Sequence, residues 1–302
     1  MDKNKGLGGT IKEKREAKDD LFKEASPDKR QDSGDIAPEQ FVSEALEPFS
    51  LKRHFTSTGT SPYNSTRYVK RSSRILNPDG SVVFALDDAE VPDEWSQLAT
   101  DIMISKYFRK AGVPGTGHET SVRQVVKRIS HTLRIEGEKL RNYFLEESEA
   151  QTFEDELVNI LITQKGAFNS PVWFNLGLYH EYGIEGQGGA YCHNPQTGRV
   201  EETRNAYQHP QCSACFIQSV KDDLMDIFQL IKNEARLFKY GSGTGTNFSK
   251  IRSKEEKLSG GGTSSGLMSF LEVLDRAAGA TKSGGTTRRA AKMVILDADH
   301  PE

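Results

Sequence analysis

The stretch SACFIQSVKDDLMDIFQLIKNEARLFKYGSGTGTNFSKIR (213–252) decides the fold. Its first seven residues, Ser213 to Ser219, form a short run rich in apolar and aromatic side chains, which reads as a strand. From Asp223 to Lys239 the pattern changes. Leu224, Ile227, Phe228, Ile231, Ala235 and Phe238 fall on one face of a helix. A second strand is expected over Thr246 to Ile251, then a loop to Gly262. A further helix follows from Ser265 to Lys282, with Leu267, Phe270, Leu271, Leu274 and Ala278 aligned. A basic loop leads into the apolar run Lys292 to Leu296. Strand–helix–strand–helix–strand is the grammar of an α/β barrel or an open parallel sheet. No internal repeat is seen.

Working outward, residues 61–165 read as a hairpin and helical domain, with the α/β region running from 166 to 302. Tyr68 to Leu76 and Ser81 to Leu86 flank Asn77-Pro78-Asp79-Gly80, which carries turn chemistry throughout. Three helices are expected next. One spans about Asp93 to Lys110. A second aligns Val122, Val125, Val126, Ile129 and Leu133, and a third aligns Phe153, Leu157, Ile160 and Leu161. Residues 1–60 hold KEKREAKDD and DKRQDSGD with few aromatic or β-branched residues. Such composition buries too little apolar surface to offset its ordering entropy, so a disordered charged tail is expected there.

The 302 residues suffice for two domains. With 40 basic and 43 acidic side chains, the net charge is -3. That balance predicts no nucleic-acid or membrane-surface field, though it allows a small basic pocket. No run of about 18 apolar residues and no apolar leader occurs, so a cytosolic protein is expected. The apolar run before Asp299-His300-Pro301-Glu302 reads as a strand cut off before any return element.

Three cysteines, Cys192, Cys212 and Cys215, are too few for a disulfide scaffold. Cys212 and Cys215 form a Cys-x-x-Cys pair, which a zinc site would need to extend with Cys192 and His193. A dithiol redox motif wants its pair at a helix start, whereas Cys215 falls within the expected strand. Residues three apart on a strand face opposite ways, so the two thiols are not expected to bond. Cys215 is then either a buried small hydrophobe or a redox residue whose partner comes from elsewhere. Tyr240 to Asn247 alternates glycine with small residues, which suits either a flexible turn or close backbone approach to a ligand. It lacks the Gly-Lys-Ser/Thr ending of a phosphate loop. Arg252 to Gly262 and Lys282 to Arg289 combine cations with glycines, as either a solvated surface or an anion site would. Asp222 and Asp223 stand where a helix N-cap is expected.

Taken in order, these runs resemble adenosylcobalamin-dependent (class II) ribonucleotide reductases. The resemblance rests on AFNSPVWFNLG (167–177), PQCSACFIQS (210–219), EARLFKYGSGTGTNFSKIR (234–252), SGGGTSSGLMSFLEVLDRAAGA (259–280) and KSGGTTRRAAKMVILDADHPE (282–302). WSQLATDIMISKYFRKAGVP (95–114) is similar to the region preceding that domain.

The resemblance implies an α/β fold: a helical amino-terminal domain followed by the first half of a ten-stranded α/β barrel. It implies that Cys215 is one of the catalytic thiol pair that reduces the ribose 2′-carbon. Ser170, Ala214, Cys215 and Gly243 would contact substrate. Asp222, Arg252, Lys282 and Arg288 would hold a deoxynucleotide effector. Adenosylcobalamin would supply, by cobalt–carbon homolysis, the radical that a finger-loop cysteine carries. The implied partners are a ribonucleotide, a dNTP effector, thioredoxin or a similar reductant, and a second copy in a homodimer.

The finger-loop Asn-x-Cys-x-Glu motif, the second redox cysteine and the carboxy-terminal cysteines do not occur in these residues. The stretch alone is therefore expected to be inactive. The alternatives are a non-catalytic nucleotide-binding regulatory module, a diiron (class I) large subunit, and a generic thiol oxidoreductase.

Overall fold

A computed structural model describes residues 50–76, 79–139, 143–194, 197–281 and 290–302. The hairpin forms from β1 (Tyr68–Leu76) and β2 (Val82–Pro92), paired antiparallel. β2 runs six residues past the expected end. The reason is a register shift between Arg71 and Ser73, with Asp88 opposite it at φ 61°. Such a bulge absorbs the extra residues that interrupt the alternation and lets pairing resume. Ala89 and Val91 then turn inward and are fully buried.

The first helix is shorter than expected. Ser96 caps α1 (Gln97–Ile102) by accepting from the Ala99 N–H, and the chain then winds through a π turn over Met103–Tyr107. α2 (Val122–Lys139) buries Val122, Val125, Val126 and Ile129, the face read from the sequence, together with Arg128. α3 (Glu147–Ile162) departs from its expected face: Ala150, Val158, Leu161 and Ile162 go deepest, while Phe153, Leu157 and Ile160 are only half-buried. It is packed on more than one side, so a single apolar stripe describes it poorly.

Residues 53–56, assigned by composition to the charged tail, are docked on α3. The Glu156 carboxylate accepts from the backbone N–H groups of His54, Phe55 and Thr56 and from the Thr56 hydroxyl at 2.6 Å. Arg53 pairs with Asp155 at 2.7 Å. Composition weighs apolar side chains; this segment is instead held by backbone donors gathered on one carboxylate.

Two short helices follow, α4 (Ser170–Asn175) and α5 (Leu178–Tyr182). Gly177 joins them at φ 81°, where a Cβ would stand 2.1 Å from the Arg128 carbonyl oxygen. A hairpin not anticipated from sequence, β3 (Ala190–Asn194) with β4 (Arg199–Thr203), precedes the α/β region.

That region is a three-stranded parallel sheet in the order β5 (Cys215–Ser219), β6 (Gly243–Asn247), β7 (Lys292–Ile295). α6 (Leu224–Lys239) and α7 (Leu267–Ala280) make the crossovers. The strand expected over Thr246–Ile251 lies earlier, on the glycine-alternating run itself. Low strand propensity is overridden there by close approach. A Cβ at Gly243 would stand 3.1 Å from the Ala291 carbonyl oxygen, and one at Gly245 would meet Met293 and Ile217 at 3.0 and 3.1 Å. Phe248 and Ile251, which suggested the later strand, instead plug a second core with Val220, Ile227, Leu230, Leu267 and Leu274.

The fold is thus mixed α/β, and the described strands do not close into a barrel. One face of the sheet is covered by α6, whose buried Glu234 reaches Lys292 of β7 at 2.8 Å and the Thr244 hydroxyl of β6 at 3.2 Å. The opposite face carries Cys215, Ile217, Gly243, Gly245 and Met293 in register, and Ile217 is 74% exposed. Among the described residues, no helix is long and apolar enough to cross a membrane.

Candidate functional site

The open sheet face brings together two of the residues singled out from sequence, with a third, Ala214, directly before them. Cys215 begins β5 and is exposed; Gly243 sits opposite it in register; the Gly243 N–H donates to the Ala214 carbonyl at 2.7 Å. With no side chain at Gly243, the space beside the Cys215 thiol stays open on the neighbouring strand.

The lead-in segments to both strands are pinned. The Ser242 hydroxyl donates to the Ser213 carbonyl, and Asn175 Nδ2 donates to the carbonyls of Gln211 and Tyr240. Asn175 closes α4, which opens with Ser170, so the Ser170 helix is tied to the approaches of β5 and β6. The ring of Phe174 lies against Gly241.

The two cysteines of the Cys-x-x-Cys pair live in different surroundings. Cys212 packs against the helical core, and burial pushes its thiol up to about 11. A thiol so raised stays protonated and is a poor nucleophile at neutral pH. Cys215 faces outward. All three cysteines are free, and Cys192 lies on β3. Among the described residues, no group of three or more His, Cys, Asp or Glu side chains is placed to hold a metal ion.

At the other end of the strands, Asp222 and Arg252 meet. Arg252 Nε donates to Asp222 Oδ2 at 2.6 Å, and both side chains are about one-third exposed. The N-cap of α6 is Asp223, which accepts from the Asp226 N–H at 3.0 Å, so Asp222 is left free to pair across the loops. Beside them, the Glu302 carboxylate accepts from the N–H groups of Lys254 and Leu267 and so caps α7. Lys282 and Arg288 lie outside the described residues.

Sequence reading missed the buried groups that hold these parts in place. Glu234 with Lys292 ties α6 to the sheet, and burial lowers the Lys292 pKa despite its partner's pull. Arg128 with Glu119, both essentially without exposure, braces α4. The only available signal was a charged residue at a helical position adjoining an apolar face, which is too common to be diagnostic.

The α/β region is thus an open parallel sheet that bears an exposed thiol opposite a glycine strand. The profile described as ribonucleotide reductase, barrel domain, matches residues 213–302. The chain belongs to the class II vitamin B12-dependent ribonucleotide reductases, whose own profile matches residues 69–164. It is 51% identical over 288 residues to the vitamin B12-dependent ribonucleotide reductase of Agrobacterium fabrum, and 50% identical over 288 residues to that of Bradyrhizobium diazoefficiens. Each comparison covers 83% of this chain and 23% of the relative, so the chain spans about a quarter of those proteins' length. A vitamin B12-dependent ribonucleoside-diphosphate reductase of Thermoplasma acidophilum is 43% identical over 93 residues, covering 30% of this chain and 12% of that protein.

The family depends on vitamin B12, and the described residues do not fit a corrin ring. A cavity of about 810 Å³ is lined mainly by hydroxyls and by carboxylates already paired with Arg53, His131 and Arg134. Its apolar side chains are only Pro62, Tyr63 and Val158, too few to floor a flat macrocycle.

Proposed function

We propose that this chain is a section of a vitamin B12-dependent ribonucleotide reductase that converts ribonucleoside diphosphates to 2′-deoxyribonucleotides. The observation that carries the reading is the exposed Cys215 thiol at the head of β5, beside Gly243 on the open sheet face. In the net step the ribose 2′-hydroxyl leaves as water and a hydrogen takes its place. The two electrons come from two thiols, which become a disulfide. Cys215 supplies one thiol, and the second belongs to another section of the protein, so this section alone does not turn over. The buried, high-pKa Cys212 is unsuited to be the partner, which also argues against a self-contained dithiol oxidoreductase. Ser170, Ala214 and Gly243 contact substrate, with Ser170 on its phosphate.

A deoxynucleotide effector binds where Asp222 and Arg252 now pair with each other. It competes with that ion pair, offering its ribose hydroxyl to Asp222 and its phosphates to Arg252, with Lys282 and Arg288 as further cationic contacts. Exposed Leu224, Met225 and Phe228 of α6, with Met268 and Val273 of α7, supply the contact for a homodimer. Thioredoxin or a similar dithiol protein restores the reduced pair, and the cytoplasm is the compartment that keeps such thiols reduced.

The test is Cys215→Ser in the full-length protein, assayed for deoxyribonucleotide formation. The expected loss is about a hundredfold or more, with an unchanged thermal melt; activity within tenfold of the parent overturns the reading. Calorimetry with dTTP and dATP on the same protein checks the effector site. Saturable binding is expected to disappear in both Asp222→Ala and Arg252→Ala.

A further inference from the structure

The Tyr107 hydroxyl lies 3.2 Å from Ser170 Oγ, and nothing in the reaction above uses it. Its placement is specified unusually heavily. Tyr107 ends the π turn, a winding that inserts an extra residue and shifts the side chains after it out of α-helical phase. Its ring packs against Trp173 and Phe174, with centroids 5.8 and 5.3 Å away. Its carbonyl accepts from Arg128 Nη2 at 3.3 Å.

The same guanidinium donates to the carbonyls of Trp173 and Leu176 at 2.7 Å each, and to Glu119 at 2.8 Å. Glu119 in turn accepts from the Arg109 N–H and the Tyr182 hydroxyl. One buried cation therefore clamps the end of the π turn and the far end of α4 together. Tyr107 and Ser170 are held at fixed separation as a result.

We propose that Tyr107 is a positioning residue for Ser170, directing the serine hydroxyl at a substrate phosphate. This rests on the reading of Ser170 as a phosphate contact. The chemistry sets the polarity of the pair. An ionised phosphate has lone pairs and no proton to give, so Ser170 must donate to it. The serine lone pair is then the acceptor for the Tyr107 proton, and the chain Tyr107 to Ser170 to phosphate orders itself in one direction. In the absence of Tyr107 the serine hydroxyl rotates freely and loses its bias toward the ligand.

Steady-state kinetics on the full-length enzyme with a ribonucleoside diphosphate tests this, using Tyr107→Phe, Ser170→Ala and the double variant. Tyr107→Phe removes one oxygen and leaves the ring packing intact. It is expected to raise KM about fivefold, with kcat within twofold and an unchanged melting temperature. The double variant is expected to be no worse than Ser170→Ala alone. If Ser170→Ala raises KM while Tyr107→Phe does not, or if the two effects add fully, the positioning role is overturned and the phosphate reading stands. If Ser170→Ala leaves KM unchanged, the phosphate reading fails and the positioning role falls with it.

Discussion

The helical region around α2 and α3 and the parallel sheet around β6 solve burial in opposite ways. The first closes on itself: Val91, Ile104, Val122, Val125, Val126, Ile129 and Ile162 reach zero exposure, and even a charged pair, Arg128 with Glu119, is sealed inside. The sheet is finished on one side only. Glu234 and the apolar side of α6 cover one face, while Ile217, Met293 and Ile295 on the other remain exposed. An apolar patch of this kind, with a thiol at its edge, is what a surface looks like when more protein or a ligand is meant to cover it. The helical region is therefore a frame closed by its own contacts, whereas the sheet keeps one face open among the described residues.

That contrast breaks first at Glu119. Replacing it by alanine leaves the Arg128 guanidinium buried and without its counter-charge, which is expected to cost about 3–5 kcal/mol. Thermal or denaturant melting of the 302-residue chain measures it. A loss under about 1 kcal/mol would mean that the carbonyls of Trp173, Leu176 and Tyr107 satisfy the cation alone, and that the frame is less tightly specified than its burial implies.

Ile217→Ala sharpens the comparison from the other side. In this chain alone the residue is 74% exposed, and truncation is expected to change stability by no more than about 0.5 kcal/mol. If further protein packs on the open face of the full-length protein, the same change is expected to cost about 2–4 kcal/mol there. Equal effects in the two would show that nothing packs on this face.

The smallest effect concerns pH. Burial pushes the Glu156 pKa up, but the Thr56 hydroxyl and the N–H groups of Phe55, His54 and Thr56 outweigh it, leaving the carboxyl below its ordinary 4.5. A lowered folded pKa means that this contribution is complete above the unfolded value and is lost as pH falls through the folded one. The backbone amide resonances of residues 54–56 are therefore expected to stay fixed down to about pH 4.5 and to move together only below it. A midpoint at or above 4.5 would contradict the assignment of Glu156 as the anchor of this segment.

What could be read from sequence was whatever rests on local periodicity. The valines and isoleucine of α2 mark their own buried face, and the alternation of α6 and α7 with short apolar runs announces a parallel sheet. Cys215 falls on a strand because the run around it is apolar and β-branched. The same reasoning failed where a distant group overrides a local preference. Gly243 and Gly245 are poor strand formers, yet they form the middle strand because their neighbours leave no room for a Cβ. Phe248 and Ile251 look like strand residues and are core plugs.

The sequence by itself therefore determined the strand–helix alternation of the α/β region, the resemblance to the family, and the placing of Cys215 on a strand. Tertiary structure alone decided the different fates of Cys212 and Cys215, the pairing of Asp222 with Arg252, the docking of residues 53–56 on Glu156, and the clamp by which Arg128 holds Tyr107 beside Ser170. The physical reason is common to all four. Periodicity reports which side of an element avoids water, but which polar group satisfies which depends on partners that chain folding brings from tens of residues away.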